Sequence, residues 1–251
     1  MTTIVITRIL AKLSYFLPKL IVVVSRRAKK TCENLGYYKK KLHLIPNGYD
    51  LKILKPRKSQ EKYYKTKIKG TKNKKIIGTV ARFDPRKDHF NLLKAISLIN
   101  LKKVNFFCLL IGTNINKNRK LIDEIKRLKI SNHVKLLGPD SNISKVMNGL
   151  DIHVQSSSTE GFPNVVAEAM ACGTPCIVTD VGDASYIVGK TGWVVPPKDP
   201  LKLAKMIEKA IIEISSKNWK KRSYNSRLRI KKNFDIEKMV KSYNKLWSKI
   251  Q

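Results

Sequence analysis

"DIHVQSSSTEGFPNVVAEAMACGTPCIVTDV", residues 151–181, decides the fold. Its two ends, "DIHVQSS" (151–157) and "PCIVTDV" (175–181), are short apolar runs that read as buried strands. Between them the spacing predicts a helix. Pro163 suits its first position, where a missing N–H costs nothing, and Gly173 and Pro175 end it. Val165, Val166, Ala169 and Met170 form its packing face, while Ala167 and Ala171 permit close approach. Strand, helix and strand in that order describe a parallel crossover covered by a helix.

The same rhythm extends in both directions. "KIIGTVARF" (75–83), "VNFFCLLIG" (104–112) and "HVKLLG" (133–138) read as earlier strands, and "TGWVVP" (191–196) as a sixth. Helical spacing fills 89–99, 119–130 and a short stretch near 143–148. Three further helical patterns close the chain, at 200–214, about 217–231 and 235–249. Strands apolar on both faces, alternating with helices, predict an α/β fold with a Rossmann-like, doubly wound parallel sheet. Before this sheet, residues 4–24 end in "LIVVV", read as a strand. Ser25 is placed to cap a helix closed by Gly36, and 41–50 read as another short strand and a turn. Residues 52–75 carry eleven Lys/Arg against one acid, Glu61, and read as a solvated basic loop.

The 251 residues carry 52 Lys+Arg and 18 Asp+Glu, a formal charge of +34. Such a field attracts polyanions: nucleic acid, anionic lipid or phosphorylated substrates. The plainer reading is compositional drift in an Ile- and Asn-rich chain. Nucleic acid is the weakest of the three, because the 52–75 run has no interleaved aromatics beyond Tyr63 and Tyr64 and no nucleic-acid module is recognisable. Cys32, Cys108, Cys172 and Cys176 form no zinc-type set and read as reduced thiols. No run reaches the length of a membrane span, and the start lacks a cleavable signal pattern. The expectation is a cytoplasmic chain, with peripheral contact at the inner face of a membrane as its basic charge permits.

In a doubly wound sheet, ligands sit beyond the carboxyl ends of the strands. The strand at 75–83 runs into "ARFDPRKDH", which places Arg82, Arg86 and Lys87 at that edge, with Asp88 positioned to cap the next helix. Cations beside a helix start suit a phosphate or diphosphate; solvated loop charges are the alternative. The strand at 151–157 runs into Glu160 and Gly161. The free amides of Asn164 and Val165 then face outward at a helix N-terminus, a ready anion site. Glu168 lies about one and a half turns further on, among apolar residues. A carboxylate there can accept two hydrogen bonds from a vicinal diol, unless it simply faces solvent. After 175–181, Gly182 permits close approach and Asp183 is placed to cap the next short helix. Together these groups describe a pocket for a diphosphate bearing polyhydroxy groups, such as a nucleotide-sugar.

The motifs "EGFPNVVAEAMACGTPCIVTDVGD", "VSRRAKKTCENLG", "LIPNGYD" and "GTVARFDPRKDH" together resemble the C-terminal half of retaining glycosyltransferases of family 4, which have the GT-B fold. The E-x7-E pair is Glu160 and Glu168, and the resemblance runs from about residue 20 to the end. It implies catalytic roles for Arg82 and Lys87, which bind the donor diphosphate, and for Glu160, which contacts the transferred sugar. Gly161, Phe162, Pro163 and Asn164 would form the loop against sugar and phosphate, and Glu168 would hold the ribose. Leu137 and Gly138 would lie near the base, and Val165 near the nucleoside. The resemblance implies no cofactor and no metal.

Family members carry a complete N-terminal domain before the position of "VVVS", with a glycine-rich loop and a histidine near the sugar. Here 24 residues precede Ser25, and none of His43, His89, His133 and His153 matches that histidine. The expected layout is therefore 1–50, a remnant of the N-terminal acceptor domain and linker; 51–75, a basic loop; 76–234, the nucleotide-sugar-binding domain; and 235–251, a C-terminal crossing helix. The implied function is glycosyl transfer with retention to a sugar, lipid-linked or polysaccharide acceptor, in cell-surface polysaccharide or glycolipid synthesis. A split or truncated gene, pairing with a complementing N-terminal-domain subunit, and donor binding without turnover remain alternatives, the last as an inactive partner of another transferase.

Overall fold

The computed structural model describes residues 2–99 and 104–249. The outermost residues of the expected segments 1–50 and 235–251, Met1 and residues 250–251, lie outside the described residues. Six parallel strands form the main sheet: β3 (Lys75–Val80), β4 (Phe106–Ile111), β5 (Val134–Leu137), β6 (Ile152–Gln155), β7 (Cys176–Thr179) and β8 (Trp193–Val195). They follow β1 (Ile21–Val23) and β2 (Leu42–Leu44), which pair in parallel as a separate two-stranded sheet. The order of the large sheet is β5-β4-β3-β6-β7-β8. The chain thus winds outward from β3 to β5, returns to lay β6 beside β3, and winds the other way.

Alternation along each strand feeds two cores. On β4, Phe106, Cys108 and Leu110 join the cluster on one face, and Phe107, Leu109 and Ile111 join the other. Helices α4 (His89–Leu98), α5 (Arg119–Arg127) and α9 (Pro200–Glu213) cover the first face through residues such as Leu92, Leu121 and Ile207. Helices α6 (Ile143–Asn148), α7 (Asn164–Ala171), α8 (Ala184–Val188) and α10 (Asn218–Asn233) cover the second through Met147, Met170, Ile187 and Ile230. Val166 and Met170 of α7 are fully buried, a contribution of roughly 1.5–3 kcal/mol each.

Three expectations change. The chain opens with a helix, α1 (Thr2–Leu13), where an extended run into β1 was expected. Its apolar residues recur around a helix and Pro18 ends the segment only afterwards. Residues 52–75 are no free loop. They contain α3 (Tyr63–Lys67), and Leu54, Tyr64, Ile68 and Thr71 are buried. Gly149 lacks a Cβ where one would meet the Tyr64 ring at 2.7 Å, so this ring can seat itself. Asp183 does not cap α8. Its carboxylate accepts from the amides of Arg26 (2.7 Å) and Arg27 (3.1 Å), at the start of α2 (Arg26–Asn34), whose Ser25 cap accepts from Ala28 N.

Asp183 therefore ties residues 20–50 to the main sheet. Arg26 adds to the tie by lying 3.5 Å over the Tyr186 ring. The last helix, α11 (Ile236–Trp247), lies against residues 43–49: Gly48 N donates to Met239 Sδ at 3.1 Å, and Tyr49 bridges to Asp235. A Cβ on Gly48 would meet Ile236 Cα at 2.6 Å, so this contact needs glycine. Asp183→Ala should cost about 1–2 kcal/mol by removing a charged acceptor from a helix start. Limited proteolysis should then cut residues 20–50 faster than in the parent. Unchanged protection would show that the two amide contacts do not hold this segment.

Candidate functional site

The reversal of strand order puts β3 beside β6 and sends their following loops apart, which opens a crevice at their carboxyl ends. The loop after β3 tightens into a 3-10 turn over Pro85–Lys87, initiated by Asp84, whose side chain accepts from Arg86 N. Asp88 follows with φ 47°, in the left-handed region, and caps α4 by accepting from Asn91 N. The serines after β6 fasten this turn. Ser156 Oγ donates to the carbonyls of Lys87 and Asp88, and Ser158 N donates to that of Arg86 at 2.8 Å.

Lys87 reaches across the crevice to Glu160, with Nζ 2.6 Å from Oε1. Ser157 Oγ donates to the same oxygen at 2.7 Å. The two post-strand loops are thus joined by a partly buried ion pair. Arg82 takes a different place. It pairs with Asp84 at 3.1 Å, beside Arg86 on the same carboxylate, and its side chain is largely exposed. Arg86 above all, with Arg82, holds the Asp84 carboxyl far below the usual range. Among the described residues no hydrogen bond or ion pair joins the Arg82 side chain to Lys87 or Glu160.

Beyond Glu160 the chain passes Gly161, whose Cα faces open space. Gly182, at φ +57°, packs under the carbonyls of Glu160 and Gly161, where a Cβ would come within 2.5 Å of both oxygens. Asp183 N donates to Gly161 O at 2.9 Å. The Phe162 side chain turns into the core and meets Phe234 edge-on at 5.7 Å, leaving only its backbone to the crevice. Pro163 stands at the N-cap, one position before the helix proper. The amides of Asn164 and Val165 find no acceptor among the described residues, so α7 presents two free donors and the positive end of its dipole.

Asn164 is held from the first segment. Its Oδ1 accepts from Asn47 Nδ2 and from the Tyr49 hydroxyl, each at 2.8 Å. Tyr49 also lies near Glu168: burial first, then the Glu168 charge, pushes its hydroxyl well above the usual range. Glu168 is half-buried, makes no hydrogen bond or ion pair through its carboxylate among the described residues, and burial raises its pKa. Leu137 and Val165, with Val80, form a partly buried apolar rim. Gly138 lies at ordinary contact distance from the Asn116 amide, 3.6 Å from where its Cβ would be.

The structure thus brings Lys87 to Glu160, with Gly161 and the α7 amides following in the same loop, and gives the Arg82 side chain to Asp84. Asn47, Tyr49, Ser157 and Asp84 were missed in the sequence. The turn at 46–48 and the serine run at 156–158 were visible there, but their partners lie far away in the chain. No group of three or more His, Cys, Asp or Glu close enough to hold a metal ion occurs among the described residues.

The raised Glu168 pKa has a signed consequence. The native state holds this proton more tightly than the unfolded chain, so Glu168 costs stability as pH rises from the ordinary glutamate range through its raised folded value. Thermal melts from pH 4 to 7 should therefore show Glu168→Gln gaining on the parent as pH rises. Parallel curves would show that the carboxylate is well solvated.

Residues 61–229, more than half of the chain, match the family described as glycosyl transferases group 1. An uncharacterised glycosyltransferase of Methanocaldococcus jannaschii is 26% identical over 94% of this chain and 64% of its own length. The capsular polysaccharide biosynthesis glycosyltransferase CapM of Staphylococcus aureus is 30% identical over 72% of this chain and 46% of its own. The chain thus spans about half to two thirds of the length of these relatives. The crystal structure of Anabaena HepE in complex with UDP-glucose superposes with a TM-score of 0.88 at 22% identity, over 98% of this chain and 68% of that one. The C-terminal domain of a group 1 glycosyl transferase, LpcC of Francisella tularensis, is covered completely by 75% of this chain, with a TM-score of 0.63 at 24% identity. The motif pair Glu160 and Glu168, the doubly wound sheet and the match over 61–229 agree: the chain belongs to the group 1 glycosyltransferases and has the Rossmann-like fold of the C-terminal half of the GT-B architecture.

Proposed function

We propose that the crevice binds a nucleoside diphosphate sugar and that the chain serves transfer of its glycosyl group, with retention, to a sugar, lipid-linked or polysaccharide acceptor. One observation carries this reading: Glu168, a half-buried carboxylate with no hydrogen bond or ion pair among the described residues, stands on the helix that follows Glu160 and whose first amides have no acceptor there. Burying an unpaired carboxylate is costly unless a ligand supplies donors, and a ribose diol supplies two. Lys87 and the amides of Asn164 and Val165 then face the diphosphate, Glu160 faces the sugar hydroxyls, and Leu137, Gly138 and Val165 flank the nucleoside. Gly161 leaves room for the sugar, with Phe162 and Pro163 holding the loop. Arg82 must leave Asp84 to join Lys87 at the diphosphate.

In the transfer, the bond from the anomeric carbon to the diphosphate oxygen breaks and the electron pair stays on the leaving group. A new bond forms from an acceptor hydroxyl oxygen to the same face of that carbon, and the hydroxyl proton passes to the departing diphosphate. Charge grows on the diphosphate, so Lys87 and the helix terminus stabilise the transition state more than the ground state. The glutamates position hydroxyls.

A second reading is a donor-binding subunit that needs a complementing N-terminal domain. It is favoured by α1 and the residues after it, where Ile6, Ile9, Leu10, Phe16 and Leu17 are all substantially exposed. The charge of +34 suits contact with an anionic membrane surface in either case. Isothermal titration with UDP-, GDP- and ADP-glucose tests donor binding. One of them should bind, and Glu168→Ala should weaken it by about 10- to 100-fold, the worth of hydrogen bonds to a charged group. No binding to any, or an unchanged Glu168→Ala, would overturn the proposal.

A further inference from the structure

A second cavity, of about 1080 Å³, opens at the other end of the sheet. It is lined by residues just before the strands: Lys72 and Asn73 ahead of β3, Asp151 ahead of β6, and Thr174 and Pro175 ahead of β7. Strands of four to six residues separate it from the Glu160 crevice by roughly 13–20 Å. Three parts of the chain build it: the 56–73 strap, the turns before β6 and β7, and α10.

Its wall carries five cations and two carboxylates. Two of the cations are spoken for. Lys65 pairs with Asp151 at 3.3 Å, and that carboxylate also accepts from Ile76 N at 2.7 Å. The Arg227 guanidinium donates to the carbonyls of Leu51, Leu54 and Ala171. The ammonium groups of Lys62, Lys72 and Lys220 have no hydrogen bond or ion pair among the described residues, and Glu61 is the one remaining acid on the wall. Tyr224, 66% exposed, stands on the α10 side, with Trp219 five positions before it.

The backbone that carries two of these lysines is fixed. Tyr64 and Ile68 are buried, and Thr71 Oγ1 donates to Ile68 O at 2.6 Å. Asn148 accepts from Arg57 N at 2.7 Å and donates to Lys55 O at 3.0 Å. A solvated basic tail would need none of this. The strap holds like charges around a concave wall, where they repel one another until an anion enters. Lysine is a point-charge phosphate binder, and the exposed ring offers a flat face for a base. We propose that this cavity is a second anion site, remote from the crevice, that binds a phosphorylated small molecule carrying two or more negative charges. The inference does not rest on the donor reading of the crevice.

The test uses the full chain carrying Arg82→Ala and Lys87→Ala, so that the crevice cations cannot answer for the cavity. Inorganic pyrophosphate is titrated at physiological ionic strength. It should bind in this background. Adding Lys62→Ala, Lys72→Ala and Lys220→Ala should weaken it about tenfold or more, from three partly screened charge contacts. Adding instead Lys39→Ala, Lys40→Ala and Lys41→Ala, which removes the same charge beside β2, should leave it unchanged. A UMP arm separates the sources. Binding of UMP that Tyr224→Ala weakens identifies a nucleotide, and binding of pyrophosphate alone identifies a free phosphate. Lys62, Lys72 and Lys220 are exposed, and circular dichroism should show all variants folded. No binding in the starting background, or equal weakening by both lysine triples, would overturn the proposal.

Discussion

The crevice exists because β3 and β6 are neighbours whose successors leave in opposite directions. Right-handed crossovers allow no helix to fill the gap between the diverging loops. Everything placed there follows from that constraint. The turn at 85–87 comes off β3, Glu160 comes off β6, and only a bond across the gap can fix one relative to the other. Lys87 and Glu160 make that bond at 2.6 Å, with Ser156, Ser157 and Ser158 securing its ends. The Lys87 ammonium is therefore fixed against the β6 loop by contacts within the chain.

The helix that completes the site is anchored from two directions. Gly182 packs beneath the 160–161 carbonyls from the β7 side, and Asn47 and Tyr49 hold Asn164 from the first segment. Asp183 makes the same junction one layer away, with its carboxylate on the start of α2. Residues 20–50 and the main sheet thus meet at the groups that line the crevice. Movement of one against the other would change the shape of the site directly.

The six strands and the helices between them were legible because each is long enough to show its period and buries both sheet faces. The position of Glu160 after β6 and of Lys87 after β3 followed from that pattern alone. What could not be read depends on distant partners. Asp183 sits one residue before α8 and has the look of its cap, but the preferred amides belong to Arg26 and Arg27. Tyr64 and Ile68 are buried within a lysine-rich run whose average polarity hides them. Arg82 has the right place in the chain, and a nearer carboxylate, Asp84, claims its side chain. Phe162 stands in the expected loop, and nothing near it in the chain shows that its ring packs on Phe234, 72 positions later.

The central claim is that the α7 terminus and the carboxylate behind it receive a nucleoside diphosphate sugar. Backbone amide shifts recorded in a ¹H–¹⁵N spectrum while UDP-glucose is added test it at the atoms concerned. The largest changes should fall on Gly161, Asn164 and Val165, whose N–H groups would meet the ligand. Saturable binding that moves residues 172–175 and 219–227 and leaves 161–165 still would contradict it.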